Sequence, residues 1–135
     1  MADTIQLEIV TPERLVVSEA ADYIEIPGKT GYLGVFPGHA PLISELAAGE
    51  LTYRIGNQTK RLAVSWGFAE VLQTKVTILA ETAEKAEEID TARAEAAKKK
   101  AETELQKAGP EGNAEAQAAL QRAAARLDVA GKGKS

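Results

Sequence analysis

The sequence predicts an antiparallel β-sandwich or barrel followed by an antiparallel two-helix hairpin. Two observations indicate this order. All six aromatic residues lie between Tyr23 and Phe68, together with seven of the eleven glycines. From Lys85 onward, 15 of 51 residues are alanine and none is aromatic. Strand-forming and helix-forming residues are therefore separated along the chain, which predicts one unit over residues 1–84 and a second over residues 85–135.

Short segments that alternate apolar and polar residues fill the first unit. The segment Thr4–Ile9 has the period of two that is typical of a half-buried strand. Gly56-Asn57-Gln58 separates two further segments, as a hairpin loop would. No segment between the strands is long enough for the helix of a βαβ crossover, so a parallel α/β fold is not expected. The predicted strands cover residues 4–9, 15–17, 23–26, 51–55, 61–66, 68–72 and 75–79.

The second unit contains two helical patterns, which residues 109–113 separate. Asp90 can cap the first helix by accepting a free amide of its first turn, and Asn113 can cap the second. These caps predict helices at about residues 90–108 and 113–130, and residues 131–135 have nothing to pack against. Small or apolar residues recur at spacings of three and four on one face of each helix. They are Ala94, Ala97, Ala101, Leu105 and Ala108, then Ala116, Leu120, Ala123, Leu127 and Ala130.

The predicted seam between these helices is mostly alanine. Burying an alanine methyl contributes about 0.8 kcal/mol, whereas burying a leucine side chain contributes about 1.5–3 kcal/mol. Ordering the backbone costs about 1–2 kcal/mol per residue. We therefore expect a hairpin that opens at little cost in free energy.

Charge is unevenly divided between the two units. Residues 1–84 hold 6 Lys/Arg and 11 Asp/Glu (net −5), and residues 85–135 hold 10 and 9 (net +1), which sum to −4. An acidic body argues against nucleic acid, which needs a basic surface. Because the sequence has no cysteine, it can form no disulfide and no thiolate metal site. No apolar run approaches the roughly 20 residues that span a bilayer, so we expect no direct membrane insertion.

The residue types that catalysis requires are scarce in this chain. His39 is the single histidine, and no GxxxxGK[ST] pattern occurs. None of the four serines lies in a nucleophile elbow. We predict no catalytic residues, no metal site and no hydrolytic activity of the isolated chain.

One glycine- and proline-rich segment stands out. Gly31–Pro41 holds three glycines and two prolines, which predict a tightly folded loop. This segment resembles the G-x-L-G-x-x-P-G-H-x-P loop of the epsilon subunit of rotary F-type ATP synthases. The resemblance continues through residues 9–13, 67–71 and 76–80, and through residues 83–90 into the helices. Almost the whole chain is covered, with the motifs in the order and spacing of that family.

The resemblance implies a β-sandwich of about ten short strands followed by the helical hairpin. It also implies a non-catalytic rotor subunit of the central stalk, in an enzyme that couples hydrogen ion transport to ATP synthesis. In that family the sandwich binds the gamma subunit and touches the polar loops of the c-ring. The residues that would contact these partners here are Gly31, Gly34, Pro37, His39 and Pro41.

The resemblance further implies a movable hairpin. In the family it folds on the sandwich or extends along gamma into the alpha/beta catalytic head, where it inhibits ATP hydrolysis through basic side chains. A solvated helix face explains the same charges without a partner. The inhibitory candidates here are Lys98, Lys99, Lys100, Arg122 and Arg126.

Some bacterial members of the family bind ATP in the folded hairpin through an I-D-x-x-R-A motif, which occurs here at residues 89–94. In those members, a glutamate from the linker and arginines from both helices complete the ATP-binding site. Lys100 departs from this pattern, because a lysine replaces the expected arginine and cannot form a bidentate fork with phosphate. The resemblance thus implies that the protein needs no cofactor and that ATP is a candidate regulatory ligand. A role as a plain helix cap is the alternative explanation of Asp90. The candidate ATP-binding residues are Glu84, Ile89, Asp90, Arg93, Ala94, Lys100, Arg122 and Arg126.

Two alternatives stay open on the sequence alone. A free-standing β-sandwich adaptor with a coiled-coil-like hairpin explains the composition but not the run of motifs. An enzyme is a third interpretation, weakened by the lack of a convergent nucleophile, base or metal ligand. The resemblance implies attachment through the complex to the cytoplasmic side of an energy-coupling membrane, either a bacterial plasma membrane or a thylakoid.

Overall fold

The computed structural model describes residues 4–133, which form eight β-strands and two α-helices joined by two short 3-10 turns. The strands are β1 (Ile5–Val10), β2 (Leu15–Ala21), β3 (Tyr23–Gly28), β4 (Gly31–Val35), β5 (Leu42–Glu45), β6 (Gly49–Ile55), β7 (Gln58–Val71) and β8 (Lys75–Lys85). The helices are α1 (Thr91–Ala108) and α2 (Ala114–Gly133), and the 3-10 turns are Ala86–Glu88 and Gly109–Glu111.

Two long strands connect the layers of a β-sandwich. Residues 58–64 of β7 pair with β6, whereas residues 68–71 pair with β5 on the other layer. Strand β8 follows β7 through both layers, and its residues 75–79 also pair with β1. Counting each half of β7 and β8 as one segment gives the expected ten or so short strands. The pairing is antiparallel except between β1 and β8, which run parallel.

Strand β7 changes layer at Trp66 and Gly67. Trp66 has a φ of 53° and Gly67 a φ of 113°, so both lie in the left-handed region that favours glycine. A Cβ atom at Gly67 would collide with the carbonyl oxygen of Leu79 on β8. The two strands predicted at residues 61–66 and 68–72 are therefore one strand with a kink, because glycine bends the ladder without ending it.

The segment Gly31–Pro41 is only partly a loop, which corrects the sequence prediction. Its first half forms β4, which pairs with β3 from Gly28–Gly31 up to Ile24–Val35. Only residues 36–41 are irregular. Glycines are typical of loops, yet an exposed edge strand tolerates them because only one of its sides pairs.

The core fills the space between the two layers. On β1, Ile5, Leu7 and Ile9 are fully buried while their neighbours are not, as the period of two predicts. Leu51 and Tyr53 on β6 are buried against the same cluster. No residue of the hairpin belongs to this core, which consists of strand residues and of Leu46 between β5 and β6.

The helical hairpin has the predicted caps. The Asp90 carboxylate accepts a hydrogen bond from the Arg93 amide at 3.1 Å, and the Asn113 side chain accepts one from the Ala116 amide at 3.0 Å. Helix α2 continues through Gly133, three residues beyond the predicted end, and Lys134 and Ser135 lie outside the described residues. The buried positions of the seam are alanines, as predicted: Ala94, Ala101, Ala116 and Ala123.

Helix α2 docks the hairpin on the sandwich. It contacts β6, β7 and the first 3-10 turn, and α1 packs on α2. A small second apolar cluster, here called the docking cluster, fills this interface. It consists of Ala63, Ala86, Ile89, Ala125, Val129 and Ala130.

Candidate regulatory interface and partner surfaces

The interface between α2 and the sandwich contains one short ion pair. The Arg126 guanidinium Nε lies 2.6 Å from Glu84 Oε1 near the end of β8. The two side chains are 23% and 31% exposed, so the pair is partly shielded from solvent. Glu84 and Arg126 are both candidate ATP-binding residues, and here each is the other's partner.

Two further candidate ATP-binding residues in the same region have structural roles, one in packing and one in capping. Ile89 is buried in the docking cluster, where it lies with Ala125 and Val129 of α2. Asp90 caps α1, so its carboxylate is committed to an amide of the first turn. The sequence alone did not reveal that Ile89 anchors the hairpin, because a single apolar residue in a linker carries no periodic signal.

The remaining candidates are spread over the hairpin. Ala94 is buried in the helix seam, whereas Arg93 and Lys100 are exposed on α1. Arg122 is partly buried, and its Nε is enclosed without a hydrogen-bond partner within residues 4–133. In that part of the chain no ion pair connects Arg93, Lys100 or Arg122 to the pair of Glu84 and Arg126.

A second ionic contact joins the end of α2 to β6. Glu50 Oε1 lies 3.3 Å from Arg61 Nη1 and 3.4 Å from Lys132 Nζ, and the Glu50 side chain is only 12% exposed. Lys132 also contacts Asp128 one turn earlier, at 3.3 Å. The hydrogen bond to Asp128, the charge of Glu50 and the hydrogen bond to Glu50 raise the pKa of the Lys132 ammonium. Sequence reasoning missed this contact, since neither residue lies in a motif.

The inhibitory candidates on α1 face solvent to different degrees. Lys99 and Lys100 are exposed, and Lys98 is half-buried. None of the three forms an ion pair within the described 130 residues, 4–133, so their charges are available to a partner. Arg122 and Arg126 lie on α2, within the folded interface.

The candidate partner-contact residues lie along β4 and in the irregular residues 36–41 that follow it. Gly31 and Gly38 have φ values of 137° and 87°, which only glycine adopts without strain. Gly34 lies beneath the Tyr23 ring, where a Cβ atom would be 2.5 Å from the hydroxyl oxygen. The His39 ring contacts the Ala40 carbonyl oxygen at 2.7 Å and is half-buried. Pro37 is half-buried and Pro41 is exposed.

An exposed apolar face on strands β5, β7 and β8 escaped the sequence analysis. Phe68 of β7 pairs with Leu79 of β8, and Ile43 of β5 lies opposite Glu70 of β7. Because alternate residues share a face, these side chains point to the outside of the same layer. They interrupt the expected polar outer face of the sandwich. This apolar face consists of Ile43, Phe68, Leu72 and Leu79, which are 72%, 53%, 41% and 53% exposed.

Residues 4–133 contain no group of three His, Asp or Glu side chains that could hold a metal ion. Among these same residues, no helix has the length and apolar character needed to cross a membrane.

The fold and this interface define a class of protein, a β-sandwich that carries a docked C-terminal helical hairpin. The model of the ATP synthase delta/epsilon chain beta-sandwich domain matches residues 4–86, and that of the delta/epsilon long alpha-helix domain matches residues 87–131. The epsilon chain of Syntrophobacter fumaroxidans is 52% identical over 133 residues, which cover 98% of this chain and 99% of that relative. The chain therefore belongs to the epsilon subunits of ATP synthases.

Two other comparisons agree with this family. The ATP synthase epsilon chain of Koribacter versatilis is 63% identical over 111 residues, covering 82% of this chain and 78% of the relative. A chain in the cryo-EM structure of the Euglena gracilis mitochondrial ATP synthase (OSCP, F1 and c-ring, rotational state 1) superposes with a TM-score of 0.82 at 26% identity. That match covers 96% of this chain and 82% of the other. The family accounts for the run of motifs that a free-standing adaptor leaves unexplained.

Proposed function

We propose that this epsilon subunit is a non-catalytic rotor component whose hairpin regulates ATP hydrolysis. The observation that carries the proposal is the small docking cluster, in which four of six residues are alanine. Burial of so little apolar surface supports an arm that leaves the sandwich at modest cost. The sandwich keeps its own core when the arm leaves, because the docking cluster shares no residue with that core.

The extended arm would inhibit through its basic side chains. Lys99 and Lys100 are already exposed in the folded hairpin, and release from the sandwich would free Arg126 from Glu84. These cations would then meet acidic segments of the alpha/beta catalytic head. Inhibition that depends on charge contacts weakens as salt screens them.

Removal of residues 89–135 tests the regulatory role. In a reconstituted ATP synthase, this deletion should raise the rate of ATP hydrolysis, and the double change Lys99→Gln and Lys100→Gln should raise it in part. The matched control is Lys29→Gln, which removes a lysine of the sandwich. An unchanged hydrolysis rate after the deletion would contradict the proposal.

We propose that the sandwich docks on the gamma subunit and the c-ring through the apolar face and the irregular residues 36–41. Four exposed large apolar side chains on one layer are typical of a protein–protein contact. Ile43→Asp should reduce co-purification with gamma, because it places a charge in the buried centre of such a contact. Gln58→Asp adds the same charge at the exposed β6–β7 turn and should leave assembly intact. Equal assembly of both variants would exclude this face as the contact.

We propose ATP as a regulatory ligand of the folded hairpin, with no required cofactor. Support comes from the enclosed Arg122 Nε, a donor without a partner within residues 4–133. Calorimetric titration of the isolated chain should detect ATP binding that Arg122→Gln weakens, while Lys107→Gln on the exposed face of α1 has no effect. Absence of heat at millimolar ATP would reject the site.

We infer that the subunit acts at the cytoplasmic side of a bacterial plasma membrane and is held there by the other subunits. The bacterial relatives support this location. Cell fractionation should recover the protein with membranes that contain the complex, and in the soluble fraction when gamma is absent.

A further inference from the structure

The turn between β1 and β2 contacts the linker that leads to the hairpin. Arg14 Nη2 lies 3.3 and 3.2 Å from the two carboxylate oxygens of Glu88, which is 74 residues further along the chain. Arg14 comes just before β2 in one layer of the sandwich, and Glu88 follows the end of β8 in the other. This ion pair therefore connects the two layers at the base of the arm.

The backbone of Arg14 has a fixed position in its turn. The Thr11 hydroxyl oxygen accepts hydrogen bonds from the Glu13 and Arg14 amides, both at 3.3 Å. The Thr11 amide in turn donates to the Arg14 carbonyl oxygen at 3.0 Å. Threonine hydroxyls that accept amides two and three residues further on stabilise tight turns. The guanidinium of Arg14 thus extends from an ordered part of the sandwich.

The Glu88 carboxylate also holds the linker to the end of β8. Its Oε1 accepts a hydrogen bond from the Lys85 amide at 3.1 Å, across the 3-10 turn Ala86–Glu88. Lys85 is the last residue of β8 and pairs with Leu62 of β7. The Lys85 amide and then the Arg14 charge lower the pKa of Glu88, although burial opposes this. Glu88 is therefore ionised at neutral pH and makes both contacts at once.

The next two residues of the linker are attached differently. Ile89 and Asp90 have extended backbone, with ψ values of 124° and 100°. The Ile89 amide donates to the Ala86 carbonyl oxygen at a long distance of 3.4 Å, and the Ile89 side chain packs in the docking cluster. Asp90 caps α1 and so belongs to the arm. Undocking of α2 therefore removes the main attachment of Ile89, whereas the contacts of Glu88 lie on the sandwich.

We propose that Arg14 and Glu88 form an anchor that confines the pivot of the arm to Ile89 and Asp90. The inference rests on the proposed movement of the hairpin and adds the place where that movement begins. The turn Ala86–Glu88 stays on the sandwich when α2 leaves it. The two side chains are 51% and 38% exposed, so their ion pair alone contributes little. The anchor depends on this pair together with the hydrogen bond to the Lys85 amide.

A short pivot keeps the open arm close to its docking surface. The entropy lost when a flexible segment closes rises with the logarithm of its length. With the anchor the flexible segment is residues 89–90, and without it the segment grows to residues 86–90. This change lowers the effective concentration of α2 at its docking surface by about fourfold. Arg14 and Glu88 are thus positioning residues that favour the docked arm through the linker.

Hydrogen exchange of the full chain, measured by nuclear magnetic resonance, tests the anchor. Val129→Ala removes two methyl groups from the docking cluster and should accelerate exchange of the α2 amides. The Lys85 amide should keep its exchange rate in this variant, because the pivot lies beyond it. Equal acceleration of the Lys85 amide would overturn the anchor and leave the movement of the arm intact. Equal acceleration of α2, β1 and β8 would overturn the movement and the anchor together.

Glu88→Ala is the decisive variant, because it removes both the acceptor of the Lys85 amide and the partner of Arg14. Exchange of the Lys85 amide should accelerate about two- to tenfold, as expected for one lost hydrogen bond. The α2 amides should accelerate about fourfold through the longer pivot. Arg14→Gln keeps the acceptor and should produce a smaller acceleration at the same amides.

Glu87→Ala is the matched control for this variant. It removes the neighbouring exposed carboxylate from the same turn and should leave both sets of amides unchanged. Equal acceleration by Glu87→Ala and Glu88→Ala would overturn the proposal. Acceleration of the Lys85 amide alone in Glu88→Ala would also overturn it, because a turn with only a local structural role does not affect α2.

Discussion

Gly67 shows how one residue shapes the sandwich. It lies where β7 passes from the layer of β6 to the layer of β5, with a φ of 113°. Its α-carbon approaches the Leu79 carbonyl so closely that no side chain fits between them. The sequence indicated an interruption here, because glycine breaks a run of strand residues. That the strand continues on another layer depends on β8, which pairs with both halves of β7.

Gly67→Ala should destabilise the sandwich severely. The alanine methyl would collide with the Leu79 carbonyl, and the backbone would keep a conformation that costs about 1–2 kcal/mol for a non-glycine residue. We expect a total loss above about 3 kcal/mol in the free energy of unfolding, measured with urea. Gly56→Ala is the control, since Gly56 has a φ of 58° but open space around it and should lose only about 1 kcal/mol. Equal losses would show that the close approach is unimportant.

Tyr53 and Glu19 link stability to pH. The Tyr53 hydrogen bond is the largest cause that lowers the pKa of Glu19 below 4.5, and burial followed by the Glu19 hydrogen bond raises the pKa of Tyr53. A carboxyl with a lowered pKa in the folded state stabilises the fold above its unfolded pKa. That stabilisation disappears as the pH falls through the folded pKa.

Tyr53→Phe should therefore weaken the dependence of stability on acid. Without the hydrogen bond, the pKa of Glu19 rises toward its ordinary value, so less stability is lost between about pH 6 and about pH 3. Urea unfolding at both pH values measures the difference, and carbon NMR of Glu19 measures its pKa. Tyr32→Phe removes an exposed hydroxyl as the control. An unchanged pKa of Glu19 in Tyr53→Phe would contradict this account.

Helix α2 is the element that attaches the arm. Its contact surface is built from alanines and Val129, which is fully buried, with ion pairs to Glu84 and Glu50 on either side. The alanine spacing predicted both helices and their mutual seam. It did not predict which helix docks, because the alanines of α1 and α2 have the same pattern in the sequence.

Val129→Ala should loosen the arm without weakening the sandwich. Loss of two buried methyl groups costs about 2 kcal/mol, most of it from docking. Hydrogen exchange should accelerate for the amides of α2 while those of β1 and β8 keep their protection. Val76→Ala serves as the contrast, since Val76 lies in the main core and its loss should accelerate exchange throughout. Uniform acceleration by Val129→Ala would show that the hairpin and the sandwich unfold as one unit.

At the scale of the whole molecule, a large core in the sandwich contrasts with a small docking cluster under the hairpin. The main cluster has twenty buried residues and belongs to the sandwich, whereas the docking cluster has six. This imbalance places the stability of the protein in the sandwich. It supports the proposal that the arm responds to ligands and partners.

Thermal unfolding should accordingly proceed in two steps. The far-ultraviolet circular dichroism of the helices should decline first, because their seam and their docking surface are mostly alanine. Trp66, the single tryptophan, lies within β7. Its fluorescence should therefore report the later unfolding of the sandwich. Coincident transitions by both signals would contradict the loose attachment of the arm.

Most elements of the fold could be predicted from local signals in the sequence. The alternation of apolar and polar residues predicted the buried faces of the strands, and Gly56 and Asn57 predicted the β6–β7 turn. Asp90 and Asn113 predicted where the helices begin. These signals act between residues close in the chain, so a single sequence suffices to find them. Motif order was also sufficient to identify the family.

Contacts between distant residues required the tertiary structure. The pair of Glu84 and Arg126, the pair of Glu50 and Lys132 and the apolar face all join segments far apart in the sequence. No periodicity marks such residues, because their proximity results from the layer change of β7 and the docking of α2. The sequence therefore specified a sandwich and a helical hairpin with a seam of alanines, and three-dimensional packing alone specified where the hairpin rests and which charges it meets there.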